Sequence, residues 1–501
     1  MVDFSALLQG LSLIFNMNCF LFLVLGMFFG ILCGAIPGLT STMAVAVLIP
    51  LTYSLEPTVA LVFLSSTYAG AMYGGSITAI LINAPGTPNA ASTAFDGYPM
   101  AKRGEAGRAL GLALGASAIG GTFSYIVLLV GMYPIAYFAV KFGAPEMFLL
   151  AVMGLTIIAS LGKNNFWKAV LAGLFGVLIS NFGIAPTGMI RPHFNSPWLL
   201  NGVPQIPSMI GLLAFSELFS MLLTPTGQIE RSEAKRVGKE IMKGVWEPFK
   251  YPKTLLISSV LGTIVGALPA AGGSIASFLA YNQTKQTSKD PDSYGQGNPE
   301  GIVACESANN ASTGGALTTM LAFGIPGSGP TAVMLSAMML HGMIPGPRLF
   351  IDQMPVVYGL IIALFVSQVV MIIMGLGFCK SLSGIIDISA KIMAPLIAVF
   401  CVVGSFAMRS SLFDVGLMFL FGIVGFLMKK SGYPVIAVVL GIVLGPLSDS
   451  NLIRTAIRYR YNFSVFFTRP ISLVLLILIV GMAFYPFVQK KLREKKNSAR
   501  T

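Results

Sequence analysis

The sequence predicts an all-α polytopic membrane protein, built as an inverted internal repeat whose helices break or re-enter inside the bilayer. Three observations predict it. Hydrophobic residues make up 55% of the 501 residues and charged residues only 10%, with a mean hydropathy of +0.80; soluble domains carry about a quarter charged residues. Runs such as Leu255 to Ala280 and Ile471 to Phe484 are free of charge, as a spanning helix of ~20 residues requires. Proline-glycine breaks then interrupt apolar stretches at two places in the chain, in the same order each time. No alternation of ten-residue segments appears, which argues against an outer-membrane barrel. The 55 glycines suit close helix contacts and broken helices.

The elements follow in order. An apolar segment from about Leu11 to Gly34 ends at Pro37-Gly38, and a helix restarts after Thr40 or Ser41, either of which is a natural cap. Pro57 opens the next span, which leads into Gly74-Gly75 and on to the break at Pro85-Gly86. An interior proline lacks the donor and clashes one turn back, so the helix stops there. Thr87-Pro88 reads as a restart, a hydroxyl cap followed by proline at the first helical position. Asp96 belongs to a turn that returns to water, and Ala101 to Arg108 is a basic connector. Spans follow at about Ala109 to Val130, Met147 to Leu161, Phe166 to Phe182 and Pro207 to Leu223, with a polar excursion from Arg191 to Asn195.

The second half opens with Leu255 to Leu268 and passes Pro269 into the helix start Gly272-Gly273-Ser274. A polar loop, Asn282 to Asn298, precedes Glu306, Asn309 and Asn310 in an otherwise apolar context. The second break is Pro326-Gly327-Ser328. Later spans are about Val356 to Phe378, Ile392 to Phe406, Leu412 to Met428, Val435 to Leu444 and Ile471 to Val488. The total is roughly 11 to 14 membrane segments. The halves are 1–223 and 254–470, separated by a basic cytoplasmic connector, 224–253, and followed by a final helix and basic tail, 471–501.

The two halves echo each other. Gly30 to Gly38 matches Gly262 to Ala270, an offset of 232 at the prolines (269 − 37), and Gly74-Gly75 matches Gly314-Gly315, an offset of 240 (314 − 74). The extra residues fall most simply in the polar loop. Two ordered correspondences at nearly one spacing indicate a duplication.

Charge orients the copies. The net charge is +13, and its strongest clusters are the connector, with Arg231, Lys235, Arg236, Lys239, Lys243, Lys250 and Lys253, and the tail from Lys490. Such segments read as cytoplasmic loops rather than as a nucleic-acid surface. The first copy is entered from a terminus without Lys or Arg and the second from the basic connector, so the copies enter from opposite faces. The five cysteines, Cys19, Cys33, Cys305, Cys379 and Cys401, are scattered and form neither a disulfide framework nor a metal cluster. No basic region precedes the first apolar run, which argues against a cleaved signal peptide.

Helix starts offer unpaired N–H groups and a positive dipole end, which suit a carboxylate. Helix-end carbonyls and asparagines suit Na⁺. The substrate-binding candidates are therefore Pro37, Gly38, Thr40, Ser41, Asn83, Pro85, Gly86, Thr87, Gly272, Gly273, Ser274, Pro326, Gly327 and Ser328. The coupling-ion candidates are Asn83, Glu306, Asn309 and Asn310, because an ionisable residue at membrane depth is a functional candidate by default. The alternative for each small residue is tight packing alone. His193 and His341 read as loop or packing residues, and Arg191 and Arg409 as anion contacts or membrane-edge anchors. No G-x-x-x-x-G-K-[ST] loop and no H-E-x-x-H occur, so neither ATP hydrolysis by that route nor a zinc protease is expected. A passive organic-anion channel is the rival reading, and a membrane enzyme a weaker one.

The set Gly34 to Thr40, Tyr73 to Ser76, Ala84 to Pro88, Asp96 to Pro99, Glu306 to Asn310, Gly324 to Gly327 and Pro345-Gly346-Pro347 resembles the large membrane subunit of tripartite tricarboxylate transporters, over nearly the whole chain. The resemblance implies a multi-pass permease of the bacterial inner membrane. It implies secondary-active uptake of carboxylates such as citrate, driven by a Na⁺ or H⁺ gradient, with no other cofactor. The implied partners are a small membrane subunit and a periplasmic solute-binding protein.

Overall fold

The computed structural model describes residues 4–37, 39–139, 141–160, 166–185, 187–223, 238–268, 272–385 and 390–482. Its first group of helices is α1 (Phe4–Ile14), α2 (Met17–Gly34), α3 (Ser41–Thr52), α4 (Pro57–Ile82) and α5 (Ala94–Lys102). Next come α6 (Ala106–Ala139), α7 (Ala144–Ser160), α8 (Phe166–Ser180), α9 (Gln205–Met209) and α10 (Ser216–Leu223), the last two joined by a π-helical turn, Ile210–Phe215. The second half holds α11 (Gly238–Trp246), α12 (Pro252–Ala267), α13 (Gly272–Thr287), α14 (Pro299–Phe323) and α15 (Gly329–Leu340). It closes with α16 (Leu349–Asp352), α17 (Met354–Ile385), α18 (Ala390–Arg409), α19 (Leu412–Lys430), α20 (Val435–Arg458), α21 (Val465–Thr468) and α22 (Pro470–Met482).

The fold is all-α. Among the described residues five helices, α2, α6, α17, α19 and α20, are long and apolar enough to cross a membrane. Their neighbours carry apolar side chains that face outward, such as Leu171, Leu174 and Leu178 on α8 and Val474 and Ile477 on α22. So broad an apolar exterior fits lipid and not water.

Sequence and structure differ at several elements. The apolar start is two helices, because Asn16 caps α2 with its side chain accepting from the Asn18 N–H at 3.1 Å. α20 runs through Pro446 to Arg458, well past Leu444. Part of the connector is helix: α11 buries Ile241 and Val245 and packs its Gly244 against Gly111 of α6. Arg108 closes that contact with two hydrogen bonds to Glu247, at 2.5 and 2.8 Å, which hold the Glu247 carboxyl below the usual carboxylate range. Arg231, Lys235 and Arg236 lie outside the described residues, as does the tail from Lys490.

Small residues let the inner helices touch backbone to backbone. Gly26, Gly30 and Gly34 of α2 meet Phe63, Thr67 and Ala71 of α4, so the two helices run parallel. Gly262 and Gly266 of α12 meet Ala308 and Ser312 of α14 in the same way. α4 is buried from Thr58 to Ile82. The equivalences fix the register. The Ala84 N–H donates to Thr78 O and the Ile325 N–H to Thr319 O, both at 3.4 Å, an offset of 241 (325 − 84). Gly74 lies over Ile31 and Gly315 over Thr263. The double glycines therefore pair Gly74 with Gly315, one residue away from the Gly314 match. The offset rises from 232 (266 − 34) in the first helices to 241, and the nine added residues (241 − 232) lie between α12 and α14, where the polar loop is.

Candidate functional site

Each half contributes helix starts to one cavity of about 530 Å³. α3 begins there, with Thr40 Oγ1 accepting from the Met43 N–H at 3.2 Å. α13 begins there at Gly272, whose φ of +64° favours glycine. α15 begins there behind Ser328, whose N–H donates to Thr331 Oγ1 at 2.9 Å. The single 3₁₀ turn Pro88–Ala90 adds Pro88 and Asn89.

The halves interlock across this cavity. Ser274 Oγ donates to Asn89 Oδ1 at 2.5 Å, joining the start of α13 to the first break. Gly329 of α15 packs on Thr42 of α3, joining the second break to the first hairpin. Tyr68 of α4 shares a 3.0 Å hydrogen bond with Ser328 Oγ. The opposite wall comes from Leu213, Tyr433, Pro434 and the ion pair of Glu217 with Lys429.

Three helices of eight residues or more direct their N-termini here, each worth roughly half a positive charge, so the cavity carries roughly +1.5 before side chains are counted. Glu217 pairs with the cation Lys429 on the far wall. Hydroxyls, one carboxamide and two tyrosines, Tyr68 and Tyr433, add further polar groups, a set suited to a carboxylate.

Of the predicted substrate residues, Thr40, Ser41, Gly272, Gly273, Ser274 and Ser328 line the cavity. Others shape it from behind. Pro85, Gly86, Pro326 and Gly327 make the turns: a Cβ on Gly86 would overlap the Gly34 carbonyl, and one on Gly327 the Gly266 carbonyl. Thr87 does not cap as expected. Its side chain makes no cap hydrogen bond and its buried Oγ1 has no partner, because it is turned against Gly75 and away from the turn it precedes. The restart is correspondingly short, one turn before α5. Pro37 is exposed and not in the cavity wall, and Gly38 lies outside the described residues.

The coupling-ion set divides. Asn83 is exposed in the left-handed C-cap of α4 (φ 53°), the position Gly324 holds after α14 (φ 67°). Glu306 is fully buried, its Oε1 accepting from Ser76 at 2.6 Å and from Thr93, its Oε2 from Ser117 at 2.9 Å. Asn309 donates to Met72 O at 3.2 Å, while its Oδ1 has no hydrogen-bond partner and faces Gly273 at the cavity floor. Asn310 is buried with neither side-chain atom bonded.

Asp96 is not a solvent-facing turn residue. It is buried on α5, where Oδ1 accepts the N–H groups of Gly295, Gly297 and Asn298, each at 2.8 Å, and Oδ2 the Tyr281 hydroxyl at 2.9 Å. His341 meets Thr52 Oγ1 at 3.3 Å, Arg191 pairs with Asp449 and Arg409 with Asp414. Tyr68, Glu217, Lys429 and Tyr433 escaped the sequence reading. The one available signal was positional: Tyr68 stands 241 residues before Asn309 (309 − 68), in the register of the breaks.

The chain matches the tripartite tricarboxylate transporter TctA family over residues 20–440. An uncharacterized 52.8 kDa protein in the TAR-I ttuC' 3' region of Agrobacterium vitis is 34% identical over 474 residues, covering 93% of each chain. An uncharacterized protein in the TAR-II ttuC' 3' region of the same organism is 31% identical over 233 residues, 46% of this chain and 96% of its own. No solved structure matches significantly.

Proposed function

The chain belongs to the tripartite tricarboxylate transporter TctA family, and from that premise we propose that it is the large permease subunit of a carboxylate uptake system in the bacterial inner membrane. Family and fold make it a multi-pass membrane component of a transporter, not an enzyme. The finer reading is cation-coupled, secondary-active uptake of tricarboxylates or related carboxylates such as citrate. A small membrane subunit and a periplasmic solute-binding protein are its partners. The convergence of α3, α13 and α15 on one cavity carries this reading, because the helix starts present donors and positive potential to an anion.

The coupling ion, Na⁺ or H⁺, belongs at Glu306 with Asn309. A buried carboxylate surrounded by hydroxyls, one turn from an asparagine at the cavity floor, links ion occupancy to substrate. The copies are inverted in the bilayer. In support, α3 ends beside the end of α15, through Thr52 and His341, whereas α5 ends beside the loop after α13, where Arg103 donates to Gln296 O and Gly297 O at 2.5 and 2.8 Å. The first hairpin thus opens toward one end of the molecule and the second toward the other. The end preceded by the basic connector is cytoplasmic by the positive-inside rule.

Proteoliposomes holding the permease and small subunit, supplied with binding protein and radiolabelled citrate, test this under imposed Na⁺ or proton gradients. Accumulation against a gradient is expected; simple equilibration would identify a channel. In the same vesicles Glu306→Gln is expected to abolish gradient-driven accumulation while leaving citrate counterflow. Loss of both would return Glu306 to a structural role.

A further inference from the structure

A second cavity, of about 480 Å³, lies between the start of α7, the segment after α15 and the last turns of α20. Arg348, Arg454 and Arg458 line it, with Ser450 and Asn451 beside them and Met147, Met339 and Pro446 among its apolar residues. Among the described residues none of the three guanidiniums has a carboxylate partner, although other arginines at this end do: Arg191 with Asp449 and Arg469 with Glu146. Arg454 and Arg458 stand four apart on one helix, an arrangement of like charges that is unfavourable by itself. Three exposed guanidiniums on one cavity, without a carboxylate partner among the described residues, suit bidentate carboxylate contacts, and the volume suits a small organic anion.

Position gives the cavity a role. α15 lines the central cavity with its first residues and this one with Met339 near its end, ~15 Å further along by helix rise. α20 does the same, from Val435 and Ile436 to Arg454 and Arg458. We propose that this arginine-lined cavity is a vestibule that captures the carboxylate before it reaches the central site. The identity of the ligand rests on the uptake reading above, whereas anion binding does not. An anionic lipid headgroup offers the same chemistry from another source.

Phenylglyoxal labelling of the wild-type protein, read by peptide mass spectrometry, separates them. In phosphatidylcholine nanodiscs, citrate, tricarballylate or succinate is expected to slow modification of Arg348, Arg454 and Arg458 by about fivefold, with Arg409 as the paired control. No protection by any of the three acids, or protection only when phosphatidylglycerol replaces phosphatidylcholine, overturns the proposal. In transport, Arg454→Gln with Arg458→Gln should raise KM for citrate about tenfold with kcat within about twofold, and the double lysine variant, which keeps the charge but loses the fork, should fall between that variant and wild type. An unchanged KM also overturns it. Protection without transport would leave the vestibule and remove the uptake reading; transport without protection would do the reverse.

Discussion

Two hydroxyls at equivalent positions of the two breaks, Thr87 and Ser328, have opposite surroundings. Ser328 Oγ borders the central cavity and is tied to Tyr68, whereas Thr87 Oγ1 is buried and unpaired. Replacing an unpaired buried hydroxyl by a methyl of the same shape is nearly neutral or stabilising, whereas removing a hydroxyl that meets a charged ligand weakens binding by about 1.5–3 kcal/mol. Thr87→Val should therefore leave expression and citrate uptake unchanged, and Ser328→Ala should raise KM by on the order of tenfold or more. Equal losses in both variants, normalised to protein in the membrane, would mean that the cavity wall has been misdrawn. Gly86 and Gly327 act through backbone proximity. Gly86→Val and Gly327→Val drive side chains into the carbonyls of Gly34 and Gly266, an overpacking that costs about 3 kcal/mol or more where backbone cannot yield. Both should lower the aggregation temperature of the solubilised protein; a variant with wild-type thermal stability and uptake would show that the breaks tolerate separation.

Elements are held across the halves by a few buried polar clamps, and Asp96 is the clearest. Its carboxylate collects three backbone N–H groups and one tyrosine hydroxyl from the second half, fixing the loop between α13 and α14 to α5. Asp96→Ala should free that loop, and trypsin cleavage at the exposed Lys289 should quicken by tenfold or so, given about 1–3 kcal/mol for donors left unsatisfied. Unchanged cleavage would mean that Arg103 alone holds the segment. The same clamp marks how far sequence reasoning reaches. Proline and glycine act on their own backbone, so both breaks, the hairpin starts and the helix runs were legible. The echo between the halves is one residue off in the sequence, because the glycine pairs align equally well at 240 or 241 and only packing over Ile31 and Thr263 decides. What a side chain faces was not legible. Asp96 looked like a turn residue and Thr87 like a cap, because each role depends on a helix from elsewhere in the chain. Tyr68 and the Glu217–Lys429 pair were missed for the same reason.

For the whole molecule, the consequential feature is that neither half encloses the central cavity alone. The start of α13 is bonded to the first break through Ser274 and Asn89, and the start of α15 is packed on Thr42 of the first hairpin. A ligand held among these starts bridges the halves, so its arrival and the geometry of the interlock must be coupled. Cysteines at Asn89 and Ser274, in a chain whose own five cysteines are replaced, should be joined by a short bifunctional thiol reagent, because the native side chains already touch at 2.5 Å. Cleavage in the connector near Gln228 would then leave the two halves migrating as one band. Citrate should slow the reaction of single cysteines at Ser274 and Ser328 together and leave one at Thr87 untouched, because the first two border the cavity and the third does not. Halves that separate after cross-linking, or protection confined to one break, would show that the two copies bind independently and that the shared cavity is not the site of transport.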